Sequence, residues 1–217
     1  MADDAGFLKL VNKLFRVMTT AGEMARDRGY IVHPDTIPAS QEAFRAKFEI
    51  DLGAKRGLNR DAMTFLCDHR ESREEMMVVF NGDESFTFDA YKRLEDVANQ
   101  AHVGRLLVII AGKVVATSKK RIDDCSRADF ALKTQLFPED DLVVNITRHE
   151  LVPEHTPLSE PELVELLKAH SLEKHMLPRM LTTDPVAVYF GLEKGRVVRI
   201  SRKSESAGRY VTYRQVV

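Results

Sequence analysis

The run Leu106-Leu107-Val108-Ile109-Ile110-Ala111 is apolar at every position. A strand without polar alternation has to be covered on both faces, so it reads as the centre of a sheet with structure packed above and below it. The neighbouring segments supply that cover. Phe7, Val11, Leu14, Met18, Ala21 and Ala25 recur at helical spacing, Leu8 and Phe15 widen the stripe, and Gly29 ends the helix they predict. Tyr91, Leu94, Val97 and Ala98 repeat the pattern across Asp89 to Ala101. Met63 to Cys67 and Met76 to Phe80 are short apolar runs separated by a charged turn and closed by Asn81-Gly82, which predicts two paired strands. Pro34 and Pro38 interrupt the chain before a short helix from Gln41 to Phe48, N-capped by Ser40. The polar stretch Asp51 to Asp61 reads as a loop.

Beyond the central strand the signals thin out and then sharpen. Asp123 to Asp141 resists assignment, although Phe130, Leu132, Leu136 and Phe137 imply some burial. A second unit is expected to begin with a strand from Leu142 to Thr147. Ser159-Glu160-Pro161-Glu162 is a capping box with proline in the first turn, leading into Leu163, Leu166 and Leu167. Asp184-Pro185 repeats the device, with Gly191 placed to stop a helix of under two turns. Arg196 to Ser201 and Arg209 to Val216 alternate basic or polar residues with Val, Ile or Tyr, the period of half-buried strands, and would pair across a Ser204 to Gly208 turn. A chain of 217 residues, 44% of them hydrophobic, has room for two such units.

Composition narrows the function. Lysine and arginine, 32 in all, nearly cancel 33 acidic residues, so no overall field draws the chain to nucleic acid or membrane and any such contact is local. Cys67 and Cys125 fit neither a CxxC metal spacing nor a disulfide framework, and are expected to be buried free thiols. The segment Met1 to Phe7 lacks the pattern of a signal peptide, and no apolar stretch approaches the roughly 20 residues of a membrane-spanning helix. A soluble intracellular protein is expected. The 7 histidines form no HExxH motif or ligand cluster, with His149 and His155 read as structural, and there is no P-loop, G-x-S-x-G or dinucleotide fingerprint.

The segment from Asn145 through Arg148-His149-Glu150-Leu151-Val152-Pro153-Glu154 to His155 resembles the sequence joining the two domains of the fifth-largest subunit shared by eukaryotic nuclear RNA polymerases. Leu177-Pro178-Arg179, Thr183-Asp184-Pro185-Val186-Ala187, Tyr189-Phe190-Gly191-Leu192 and the block from Ser204 to Arg214 follow in the family's order. The resemblance is strong from about Leu142 to Val217, the part shared with the family's shorter archaeal counterpart. Upstream, Asp27-Arg28-Gly29-Tyr30 and Leu106 to Ile110 resemble family elements. The family's frequent Thr-Pro-Ser-Ala loop is replaced by Val114-Val115-Ala116-Thr117, Val188 stands where arginine is common, and Lys203 where proline is common.

This resemblance implies an α/β protein of two units. Residues 1–141 would form an α/β/α jaw domain, restriction-endonuclease-like but non-catalytic, and residues 142–217 a small α+β assembly domain. It implies a nuclear, non-catalytic subunit that docks on the largest polymerase subunit, braces the lower jaw near downstream DNA, needs no cofactor or metal and is not a homo-oligomer. Pro178, Arg179, Asp184, Pro185, Tyr189, Gly208, Arg209 and Tyr210 are the expected partner contacts, although tyrosines there could equally fill their own core. Lys113, Lys119, Lys120 and Arg121 are the expected phosphate contacts, against the alternative of a solvated charged face. The endonuclease likeness directs attention to Asp61, Asp68 and Asp83, but the strand Met76 to Phe80 lacks the Glu-x-Lys that metal-assisted cleavage would use. An independent nucleic-acid-binding regulator, using the basic C-terminal face, stays open as the rival reading.

Overall fold

The computed structural model describes residues 2–51, 56–126, 132–204 and 208–217. The chain divides into two compact units, Met1–Val144 and Asn145–Val217. Both mix helix and strand, in the two-unit α/β arrangement expected from the sequence.

In the first unit, helix α1 (Ala2–Asp27) leads to strand β1 (Tyr30–Ile31), helix α2 (Gln41–Phe48) and a hairpin of β2 (Glu49–Asp51) with β3 (Arg56–Leu58). Strands β4 (Phe65–His69) and β5 (Glu75–Asn81) follow, then β6 (Ser85–Phe86), helix α3 (Phe88–Gln100), β7 (Arg105–Ile110), β8 (Lys113–Val114), helix α4 (Ala116–Ser126) and β9 (Lys133–Pro138). The main sheet runs β1-β4-β5-β7-β9, with β7 parallel to both neighbours. Leu106 to Ile110 are each at most 1% exposed, so the apolar run is the sheet's centre. On one face Met77, Val79, Leu106, Val108 and Ile110 pack with Ala90, Tyr91 and Ala98 of α3 and Ile122 of α4. On the other, Met76, Val78, Phe80, Leu107 and Ile109 are buried as fully. All six residues of the predicted α1 stripe are buried, and Phe15 meets Phe44 of α2 edge to face at 5.8 Å. Leu8 is the exception at 47% exposed, because it lies off the buried arc. Ser40 caps α2 as expected, its Oγ accepting from Ala43 N at 3.2 Å.

Four readings need correction. Met63 is buried in a 3-10 turn, Asp61–Met63, and the strand starts only at Phe65. Glu49 to Asp51 and Arg56 to Leu58 pair antiparallel where a loop was expected; residues 52–55 lie outside the described ones. The unassigned stretch holds the end of α4 and all of β9, with Phe130 outside the described residues. Helix α4 buries only Ser118 and Ile122, too sparse a stripe to announce itself. Finally, Leu142 to Thr147 is not a strand but two 3-10 turns, Glu139–Leu142 and Ile146–Arg148. Asn145 breaks it: its Oδ1 accepts from Thr147 N at 3.0 Å and from Thr147 Oγ1 at 2.6 Å, offering the backbone a local partner in place of a ladder.

The second unit contains β10 (Glu154–Pro157), helix α5 (Glu160–Ala169), β11 (Arg179–Met180), helix α6 (Pro185–Phe190), β12 (Val197–Ser204) and β13 (Gly208–Val216). The sheet runs β10-β12-β13-β11, antiparallel except that β11 lies parallel to β13. Leu163, Leu166 and Leu167 of α5 pack with Leu158, Leu177, Val197 and Tyr213. Met180, Val186 and Ala187 form a second cluster, and Val198, Ile200 and Val216 a third, with Leu192 packed against both. The Glu162 carboxylate accepts from Ser159 N at 2.8 Å and Ser159 Oγ at 2.7 Å, which holds its pKa below the ordinary value. Asp184 Oδ1 accepts from Val186 N at 2.9 Å to start α6, and Gly191 stops it in the left-handed region at φ 63.

Candidate partner and nucleic-acid surfaces

The sequence-predicted partner residues fall into three places on the second unit. Pro178 and Arg179 are exposed at the start of β11, where the Pro178 carbonyl accepts from Gln215 N at 2.8 Å. Asp184 and Pro185 form the N-terminus of α6, and Asp184 is engaged as its cap. Gly208, Arg209 and Tyr210 open β13 on the exposed ribbon. Gly208 has φ +69 and a Cβ there would meet no atom within 4 Å, so its backbone angle alone makes glycine useful.

Tyr189 does not belong with them. It is 3% exposed, its hydroxyl accepts from Asn145 Nδ2 at 3.0 Å, and its ring meets Phe190 edge to face at 5.2 Å. It fills its own unit's core. Tyr210, by contrast, is 57% exposed and stands opposite Arg202. Arg209 has a carboxylate within its own chain: Nη2 donates to Glu154 Oε2 at 3.2 Å, and Nε to Ser201 Oγ at 2.6 Å, with Arg209 and Glu154 both largely exposed.

His155 is half-buried beside these residues, with Nδ1 2.6 Å from the Pro153 carbonyl. Burial lowers its pKa, the bond to the Pro153 carbonyl and the Asp184 charge oppose that, and Arg202 and Arg214 reinforce it. Sequence reasoning placed His155 in a packing role without its charged neighbours, and it missed Glu154 and Ser201 as partners of Arg209. Their separations of 55 and 8 residues carry no motif.

In the first unit, Val114 pairs with Phe86 and Ala116 begins α4, so Val114 to Thr117 is the end of a strand and the first turn of a helix. Lys113 is exposed on β8, and Lys119, Lys120 and Arg121 are exposed on α4 between the inward-facing Ser118 and Ile122. The Arg121 guanidinium carbon lies 3.8 Å from the centre of the Phe88 ring, which fixes one of these cations against the surface.

Asp61 opens a 3-10 turn, Asp68 lies on β4 opposite Glu75, and Asp83 accepts from Asn81 Nδ2 at 3.1 Å. No group of three or more histidine, cysteine, aspartate or glutamate side chains is arranged to hold a metal among the described residues. Burial raises the Cys67 thiol to a pKa of about 12, while Cys125 is partly exposed. No helix among the described residues is long and apolar enough to cross a membrane.

Residues 144–216 match the family described as RNA polymerase Rpb5, C-terminal domain, and residues 9–96 match RNA polymerase Rpb5, N-terminal domain. The chain belongs to the Rpb5 family. Its similarity to individual members is end to end. A Caenorhabditis elegans protein named DNA-directed RNA polymerases I, II, and III subunit RPABC1 is 35% identical over 94% of this chain and 96% of its own length. The Dictyostelium discoideum protein of the same name is 32% identical over 95% of this chain and 98% of its own. The Rpb5 match at the C-terminus covers the compact unit that begins at Asn145 almost residue for residue.

Proposed function

We propose that this chain is a non-catalytic common subunit of nuclear DNA-directed RNA polymerase, carried by the end-to-end likeness to relatives named as subunits of polymerases I, II and III. The C-terminal unit, about residues 142–217, is the part that docks on the largest subunit. The N-terminal unit, about residues 1–141, braces the jaw near downstream DNA, where Lys113, Lys119, Lys120 and Arg121 touch phosphates without reading bases. A self-contained core under the C-terminal match supports a docking module that folds by itself.

Purification of the tagged chain from its own cells, followed by identification of the associated largest subunits, tests the assignment. Recovery of the largest polymerase subunits under a high-salt wash is expected, whereas an independent nucleic-acid-binding regulator would dissociate steeply with salt. Within the polymerase, reversing Lys119 and Lys120 should weaken crosslinking to downstream DNA and leave assembly intact. Unchanged crosslinking removes these residues from the DNA contact.

A further inference from the structure

Strands β12 and β13 carry five cations, Arg199, Arg202, Lys203, Arg209 and Arg214, and no acidic residue. Register sorts them between the two faces. Arg199 stands opposite Tyr213, Ser201 opposite Val211 and Lys203 opposite Arg209 on one face, with Thr156 and Glu154 of β10 beside the first two pairs. Helix α5 packs its leucines on that face at the end formed by Val197 and Tyr213. Further out, Arg199, Arg209 and Glu154 are exposed, and Val211 is 41% exposed.

Among the described residues, Glu154 is the one carboxylate within salt-bridge distance of Arg199 or Arg209, and it reaches Arg209. Arg199 thus has no carboxylate at that distance among the described residues, although the Glu162 charge of α5 acts on it from further away. Ser201 and Glu154 engage two donors of the Arg209 guanidinium and fix its plane, so the remaining donors are oriented before any partner arrives.

We propose that this open half-face, centred on Arg199, Val211 and Arg209, is where a polymerase partner subunit supplies surface carboxylates. The proposal rests on the polymerase reading above and gives that docking surface a location and a chemistry. A protein fits better than a nucleic acid. Val211 offers methyl groups at the centre of the patch, in keeping with protein interface cores, where arginine and apolar area occur together. Glu154 lies inside the footprint, and a duplex with one charge per about 1.7 Å would force phosphates onto it, whereas protein carboxylates are sparse enough to avoid it. The near-zero net charge of the chain gives no long-range steering toward a polyanion.

The test uses the tagged full-length chain in its own cells and compares Arg199→Glu/Arg209→Glu with Arg202→Glu, a cation of the opposite face. The double variant should melt like the wild type yet lose polymerase retention by about tenfold or more, while Arg202→Glu stays near wild type. If the double reversal lowers the melting temperature, Arg199→Gln/Arg209→Gln replaces it and should show a smaller loss of the same sign. Retention equal to wild type in folded double variants overturns the proposal, as does equal loss in Arg202→Glu. Purified variants are also titrated with mixed-sequence duplex DNA, and a defect confined to DNA binding overturns the proposal in favour of a nucleic-acid surface. Failure of the wild-type chain itself to co-purify with polymerase instead overturns the reading on which the proposal rests.

Discussion

Glu139 is 3% exposed, and it is the buried carboxylate on which two cations converge. Arg60 Nη1 donates to its Oε1, and Lys13 Nζ lies 3.3 Å from its Oε2. Three distant pieces of the first unit are thereby joined: helix α1, the residue before the Asp61–Met63 turn, and the turn that follows β9. Removing one member of a buried pair costs about 3–5 kcal/mol, because the other charge is left without its partner. Here the lower end applies. Lys13 is 32% exposed and keeps Asp140 at 2.7 Å, so most of the penalty falls on Arg60, which is 19% exposed. Arg60 has little freedom to escape into water, since its side chain lies across Gly82, where a Cβ would meet Arg60 Cδ at 2.6 Å. Glu139→Ala should therefore destabilise the first unit by about 3 kcal/mol, a fall of roughly 6–12 °C in its melting temperature for a unit of this size. Calorimetry of the full chain resolves this if the two units melt separately, and hydrogen exchange on β9 reports the first unit in either case. Exchange rates in β9 unchanged from wild type for Glu139→Ala would refute the reasoning, because they would show Arg60 solvated without cost.

Asp184→Ala removes the acceptor for Val186 N and should lower the stability of the second unit by about 1 kcal/mol, read by urea denaturation with Asp184→Asn as the milder control. Gly208→Ala should cost about 1 kcal/mol through its left-handed backbone alone, with Gly208→Asn less affected; equal stability of all three would show that the turn relaxes. His155 has a lowered folded pKa, so the unfolded chain takes up its proton first as the solution is acidified. Stability from this group is complete above its ordinary value of 6.5 and declines as pH falls from there toward the folded value. His155→Gln should flatten that slope in pH-dependent melting, and an unchanged slope assigns it to other groups.

What the sequence disclosed and what it withheld divide along the range of the interactions involved. The α1 stripe, the capping boxes and the β7 run are set by neighbours a few positions apart, and each was legible. Strands β10 and β11 were not, because Glu-His-Thr-Pro and Arg-Met carry no alternation and become strands only by lying beside β12 and β13. The candidate surface follows the same rule. Tyr189 and Tyr210 are one residue type in two blocks that both resemble the family, yet one is buried with its hydroxyl met by an Asn145 amide 44 residues away, and the other faces solvent. The basic character of the ribbon was plain in the sequence, since it is a matter of composition. Which cation has a carboxylate at salt-bridge distance was not, since Glu154 reaches Arg209 from another strand, 55 residues away. Arg209 was read from the sequence as a partner contact, and its carboxylate within the chain, Glu154, is exposed, where such bridges contribute about 0–1 kcal/mol. Its reversal alone would then neither unfold the unit nor report cleanly on docking, and pairing it with Arg199, which has no carboxylate at salt-bridge distance among the described residues, restores a readout that the fold itself does not absorb.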